Sequence, residues 1–455
     1  MAQPIAGTAG FTKQGNGTLR LTGSSNTYSG TTTLKGIGRL ILAKDAGQTA
    51  IPGNIFLDSF AFVANASGLV LGGNEQIADT SIVTWANVGQ ADTYFRLNGF
   101  TETIGGLVSD GVGGFVVIEN RGFNDTAAYP DGNLIVNTAA STSYFFNGSI
   151  RNIDGGTNGG TVVLTKTGPG TQILAGNMTF SGPTTVLGGT LRINSTLPSS
   201  PVTVESGGTL AGTGTISQGP TVNAGGTISP GNTTIGTITT GNTSIVGTYL
   251  CQIDGPTADR ISANGFLDVG GATLQFSIVN PPTADSYILA SCPSSIGGNF
   301  TAVGVPAGYS LDYLSTTGQI LLVKDNFSSF VTTYSLSGVP SDDKDNDSLA
   351  DAVEYVLGSN PTIPNSGGPV AKVTSDEFIF TFERSDRSLT QDVAIAIETT
   401  SDPNTAGDLY QVGATTATST QGVTVTDNGT SDTITLTIPL TDAKKFARLR
   451  VTVTP

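Results

Sequence analysis

Between Asp343 and Glu354 the chain spaces its acidic side chains in a way that suits a hard cation. Asp343, Asp345, Asp347, Asp351 and Glu354 stand at positions 1, 3, 5, 9 and 12 of a twelve-residue loop, and Leu349 presents its backbone carbonyl at position 7. Alternate side chains of a tight loop converge on one ion, and a terminal Glu closes the shell with two oxygens. A solvated acidic linker would have the same composition without the register. Five acidic donors in loop register favour Ca²⁺. Ser348 stands where the pattern has Gly, so the turn at position 6 falls on a residue that resists it.

These donors must be held by the elements around them. Glu354 is expected on a short helix over Leu349–Leu357, stopped by Gly358 with Pro361 just beyond. Residues 324–341 read as a linker with aromatic anchors at Phe327, Phe330 and Tyr334. Residues 370–455 alternate apolar and polar positions in short runs such as EFIFTFER, QDVAIAIETT and DTITLTIPL, which is the pattern of an antiparallel β-sandwich. Arg448 and Arg450 read as an outward, solvated face of the last strand.

Composition removes several functions. The chain has no His, so the commonest general base and metal ligand is missing and Ser-centred nucleophilic catalysis lacks its partner. A net charge of −15 argues against nucleic acid and anionic membranes, which require clusters of Lys and Arg. No apolar run reaches the roughly 18 residues that span a bilayer, so no membrane insertion is expected. Cys251 and Cys292 are the only thiols, and a disulfide or two small buried side chains explain them equally well. MAQPIAGTAG lacks the charged and apolar regions of a signal peptide, yet it suits a mature N-terminus restarted with Met.

The longest-range signal is a repeat. FTKQGNGTLRLTGSSNTYSGTTTLKGIGRLILAKD (11–45) returns as LTKTGPGTQILAGNMTFSGPTTVLGGTLRINST (164–196), with Thr12-Lys13 on Thr165-Lys166 and Tyr28-Ser29-Gly30 on Phe180-Ser181-Gly182. Each copy alternates apolar and small polar residues between Gly and Asn breaks, as a solenoid coil does. From residue 201 the units shorten and carry Gly-Gly-Thr at the corner, with Thr expected outward and Leu, Ile or Val inward. Leu97-Asn98-Gly99-Phe100 reads as a strand–turn–strand phrase. Segment 121–160 reads as looser, with room for a protruding loop.

The phrases K-x-G-x-G-T, N-T-Y-x-G-x-T, L-N-G-F-x-x-T-I-G-G-L and V-x-S-G-G-T-L-x-G-x-G-T-I resemble the autotransporter-associated β-strand (passenger-associated) repeat family over residues 11–323. The resemblance implies a right-handed parallel β-helix that is secreted or displayed on a bacterial surface. The family's outer-membrane translocator barrel has no counterpart in the sequence. The acidic stretch resembles the thrombospondin type 3 calcium repeat, which adds to the reading of Ca²⁺ at Asp343, Asp345, Asp347, Leu349, Asp351 and Glu354.

The expectation is therefore an all-β chain in three parts: a parallel β-helix (1–323), a calcium-loop and helix hinge (324–365) and a small β-sandwich (366–455). At 20–25 residues per coil and about 4.8 Å per rung, the helix would run some 60–80 Å. Its expected role is structural and not enzymatic, a stiff extracellular rod. The first copy sits close to the N-terminus with no lid, so an open strand edge is expected there, and with it head-to-tail self-association into a homo-oligomer or filament. The alternative is a surface adhesin that grips a glycan or cell-surface ligand. A β-helical polysaccharide-degrading enzyme is the weaker rival, because Asp58, Asp79, Asp92, Asp110, Asp254 and Asp259 form no pair at the coil spacing.

Overall fold

The computed structural model describes residues 1–454 apart from 59–67, 87–92, 110–115, 122–128, 154–159, 307, 315–316, 365–367, 391, 429–430 and 441–444. The chain divides into two compact units. One comprises Met1–Pro282, Ile288–Gly304 and Tyr313–Ile320; the other comprises Thr283–Tyr287, Val305–Asp312 and Leu321–Pro455.

The first unit is a parallel β-helix. Its opening coils are β1 (Phe11–Lys13) and β2 (Leu19–Leu21), then β3 (Thr32–Lys35) and β4 (Arg39–Leu42). β3 stacks on β1 and β4 on β2, parallel and in register. The step repeats through a 14-stranded sheet that runs from β1 to Thr301–Val303. A six-stranded sheet ends at Ser149–Arg151, and a nine-stranded sheet starts at Thr101–Ile104.

Register explains the composition. Thr171, Thr190, Thr209, Thr227, Thr248, Thr273 and Thr301 stand opposite one another on successive coils. The next row, Leu191, Leu210, Ile228, Tyr249 and Leu274, points inward and is buried to within 1%. A single coil would leave each such apolar side chain partly in water, where full exposure costs about 1.5–3 kcal/mol per side chain. Stacking removes that cost, and so one coil specifies the next. The expected outward Thr and inward aliphatic positions are both found.

Two expectations are revised and one is sharpened. Asn98 and Gly99 both have positive φ (53° and 76°) and make the expected turn between strands Thr93–Arg96 and Thr101–Ile104, which do not pair with each other. Thr93–Arg96 pairs in parallel with Val116–Glu119, and Thr101–Ile104 pairs in parallel with Gly132–Asn137, in two different sheets. The turn is a coil corner. In segment 121–160, Gly132–Asn137, Ser143–Phe146 and Ser149–Arg151 are strands. Residues 122–128 and 154–159 of the expected loop lie outside the described residues. The edge of the first coil is covered in part by the chain itself. The carbonyls of Met1, Ile5 and Gly7 accept the amides of Thr22, Thr27 and Ser29 at 2.8, 2.8 and 3.0 Å. The outer edge of β1 pairs with no strand among the described residues.

The second unit holds two antiparallel sheets. One has four strands, Val370–Val373, Glu377–Ser385, Ser431–Pro439 and Val423–Asp427 in spatial order. The other has three, with Val393–Thr400 between Asp408–Val412 and Phe446–Val453. Phe378, Phe380, Phe382, Ile434 and Leu436 of the first share one apolar core with Ile395 and Ile397 of the second. This is the expected sandwich.

The stretch read as a linker is folded as well. α1 (Phe327–Tyr334) is capped by the Asn326 side chain, which accepts the Ser329 amide. Phe327 and Phe330 are spaced to share one helix face, and they pack with Tyr355 and Ala352 in a small buried cluster.

Candidate functional site

The acidic loop lies in the second unit. Asp343, Asp345, Asp347 and Leu349 are half-buried, while Lys344, Asn346 and Ser348 between them are exposed. The inward alternation expected of a cation loop is therefore present. Asn346 and Ser348 carry it with φ of 59° and 76°, so Ser348 adopts the left-handed turn that the pattern reserves for Gly.

Carboxylates tie the loop to its own backbone. Asp343 accepts the amides of Asp347 (3.2 Å) and Ser348 (2.8 Å), and Asp347 accepts the Leu349 amide at 2.8 Å. Oxygens of Asp343, Asp345 and Asp347 all lie within 4.8 Å of one another. Asp345 Oδ2 is buried and accepts no hydrogen bond.

Asp351 and Glu354 fall outside that triad. Both are buried in the first turn of α2 (Asp351–Leu357), where Asp351 Oδ1 accepts the Lys344 amide at 3.1 Å and Glu354 Oε1 accepts the Ser359 hydroxyl at 3.1 Å. The helix begins two residues later than expected. The positive φ of Ser348 breaks the approach, and the Leu349 amide is already taken by Asp347. Gly358 ends it with φ 76°, as expected.

The electrostatics of the loop are those of crowded carboxylates. Burial, followed by the charge of Asp347, raises Asp345 above the ordinary carboxyl range. Burial raises Glu354 to about 7, with Asp345, Asp347 and Asp351 adding repulsion. Three converging carboxylates and an orphaned buried oxygen fit a hard divalent cation.

The repeat carries chemistry of another kind, missed by sequence reasoning. Lys166 is fully buried, and its ammonium donates to the carbonyls of Thr167 (2.6 Å), Gly168 (2.8 Å) and Gly188 (3.0 Å). Burial lowers it to about 8. In the first copy Lys13 donates to the Gly15 carbonyl at 2.7 Å. The corner glycines leave room for this. A Cβ on Gly38 would sit 1.8 Å from the Lys13 nitrogen, and one on Gly189 would sit 2.4 Å from the Gly168 oxygen. K-x-G-x-G-T is thus a lysine-stapled corner, and its recurrence at both copies was the signal available in the sequence.

Other buried charges are engaged by neighbouring coils. Glu119 accepts from Arg96 Nε at 2.8 Å and Arg151 Nε at 3.0 Å, and the Arg96 guanidinium lies 4.3 Å from the Tyr94 ring centroid. Glu102 accepts the amides of Gln76 and Ile77, both at 2.9 Å, and burial raises it to about 8. Asp259 accepts the amides of Gly236 (2.8 Å) and Gln252 (3.0 Å), and burial raises it to about 7. Gln172 exchanges two hydrogen bonds with the Leu107 backbone, at 2.9 and 3.1 Å, and so acts as a strand where the pairing is thin. Each of these carboxylates completes backbone or arginine partners. Cys251 and Cys292 are free and buried, and burial pushes the Cys251 thiol up to about 12.

The coil geometry defines a class, the parallel β-helical repeat proteins, and the repeat itself is matched by a family model. Residues 11–43 and 164–193 match the passenger-associated-transport-repeat, the two stretches that carry the lysine-stapled corner. The match supports an autotransporter passenger repeat protein, and such repeats imply a secreted or cell-surface protein. No curated protein matches the chain. Among the described residues, no helix is long and apolar enough to cross a membrane.

Proposed function

We propose that this chain is a structural building block of the bacterial exterior. It supplies a stiff β-helical segment and self-associates end to end. The observation that carries this reading is the strand-on-strand stacking from β1 to Thr301–Val303, in which the buried carboxylates Glu102 and Glu119 are satisfied by neighbouring coils. Such a stack resists proteases because no coil can open without uncovering the next. End-to-end association is favoured by the outer edge of β1, which has no strand partner among the described residues. Static light scattering of the purified chain against concentration tests the reading: mass should climb with concentration, and a constant monomer mass contradicts it.

Calcium is the cofactor proposed for the second unit. Asp343, Asp345 and Asp347, with the Leu349 carbonyl, would hold it, and Asp351 and Glu354 would complete the oxygen set. The ion supplies positive charge that offsets carboxylate repulsion and fixes the 343–354 loop on α2. This reading rests on the convergence of the triad. Calorimetric titration with Ca²⁺ tests it, and a flat trace contradicts it. Adhesion to a glycan remains the alternative function, and a cavity of about 950 Å³ in the second unit, lined by Asn326, Phe327, Val331, Pro340 and Asp392, is where such a ligand would sit.

A further inference from the structure

Val370–Val373 is the terminal strand of the four-stranded sheet. Its inner side pairs antiparallel with Glu377–Ser385. All four of its residues are exposed. Val370, at 65%, is the most exposed large apolar side chain among the described residues, and Val373 is 57% exposed. The opposite edge of the same sheet, Val423–Asp427, is built differently, with Val423 buried and an Asp at its end. An edge with no strand partner among the described residues, two bared valines and one Lys is a template for another strand.

We propose that this edge is a self-association surface, on which Val370–Val373 pairs antiparallel with the same strand of a second copy and joins the two sheets into one. The sequence V-A-K-V complements itself in that arrangement. With the twofold axis between Ala371 and Lys372, each Val370 faces a Val373 and each Lys372 faces an Ala371. Apolar then meets apolar, and no like charges stand directly opposite. An unrelated strand would have to supply the same pattern by chance. Four residues make a weak contact, so its use lies in an array, where many such contacts act together. The pairing adds a lateral link to the end-to-end association proposed above and does not depend on it.

Sedimentation equilibrium of the full chain, from roughly 1 μM to 500 μM, tests the proposal. It compares wild type with Val370→Lys/Val373→Lys and with Val279→Lys, a control on a side chain of similar exposure (58%) in the β-helical unit. Circular dichroism confirms that each variant is folded. Expected are concentration-dependent association of wild type, an association constant at least tenfold lower in the double variant, and no change in the control. A wild type that stays monomeric overturns the proposal. So does a double variant that associates as strongly as wild type does, which would leave end-to-end stacking as the only contact.

Discussion

Replacing Lys166 with Met tests whether the repeat's lysine is a structural staple. The side chain is fully buried, and Met preserves most of its volume, so lost packing is minor. The polar loss is specific. The Thr167 carbonyl keeps the Thr138 amide at 3.2 Å, whereas the Gly168 and Gly188 carbonyls lose the ammonium. A buried carbonyl deprived of its donor costs about 1–3 kcal/mol; because Gly168 and Gly188 are only half-buried, the two together cost about 1–3 kcal/mol. Urea unfolding followed by circular dichroism should show that loss as a lower midpoint at an unchanged slope. A pH arm sharpens the test. Burial holds Lys166 at about 8, below its ordinary 10.5. Folding therefore disfavours the proton, and wild-type stability should rise as pH climbs from about 8 to 10.5. Lys166→Met should lose that slope. A variant within about 0.5 kcal/mol of wild type, or one that keeps the slope, would refute the staple.

Three further outcomes follow from the same geometry. Glu102→Gln removes an acceptor from the Gln76 or Ile77 amide and should cost about 1–3 kcal/mol in urea unfolding. Because burial raises Glu102 to about 8 from 4.5, its favourable contribution is complete below pH 4.5 and fades as pH rises through 8, and the variant should lose that decline. Glu119→Ala takes away the carboxylate shared by Arg96 and Arg151 and should cost about 3–5 kcal/mol, measured by the same assay. Ca²⁺ at a hundred times its dissociation constant should raise the stability of the second unit by about 2.7 kcal/mol. Asp345→Ala should abolish that rise in a thermal melt with and without EGTA.

How much was legible depended on whether a signal was local. The solenoid could be read because each coil repeats the same inward row, so Leu191 and Leu210 predict each other. The convergence of Asp343, Asp345 and Asp347 could be read because alternation along a tight turn needs only neighbours. Phe327, Phe330 and Tyr334 already stood at helical spacing, but a short segment rich in Ser and Thr looked like a linker. Its helix depends on burial against Tyr355. The Asn98-Gly99 turn was visible, whereas its use as a corner followed from strand pairings more than 20 residues away. The Arg96–Glu119–Arg151 ladder was hidden for the same reason, since coils of unequal length place the three charges side by side only after stacking.

The central claim, that these coils form an extracellular building block that assembles end to end, is tested most directly by negative-stain imaging of the purified full chain at rising concentration, with and without Ca²⁺. The account predicts extended assemblies that lengthen with concentration. Separate single particles at every concentration, in both conditions, would contradict it.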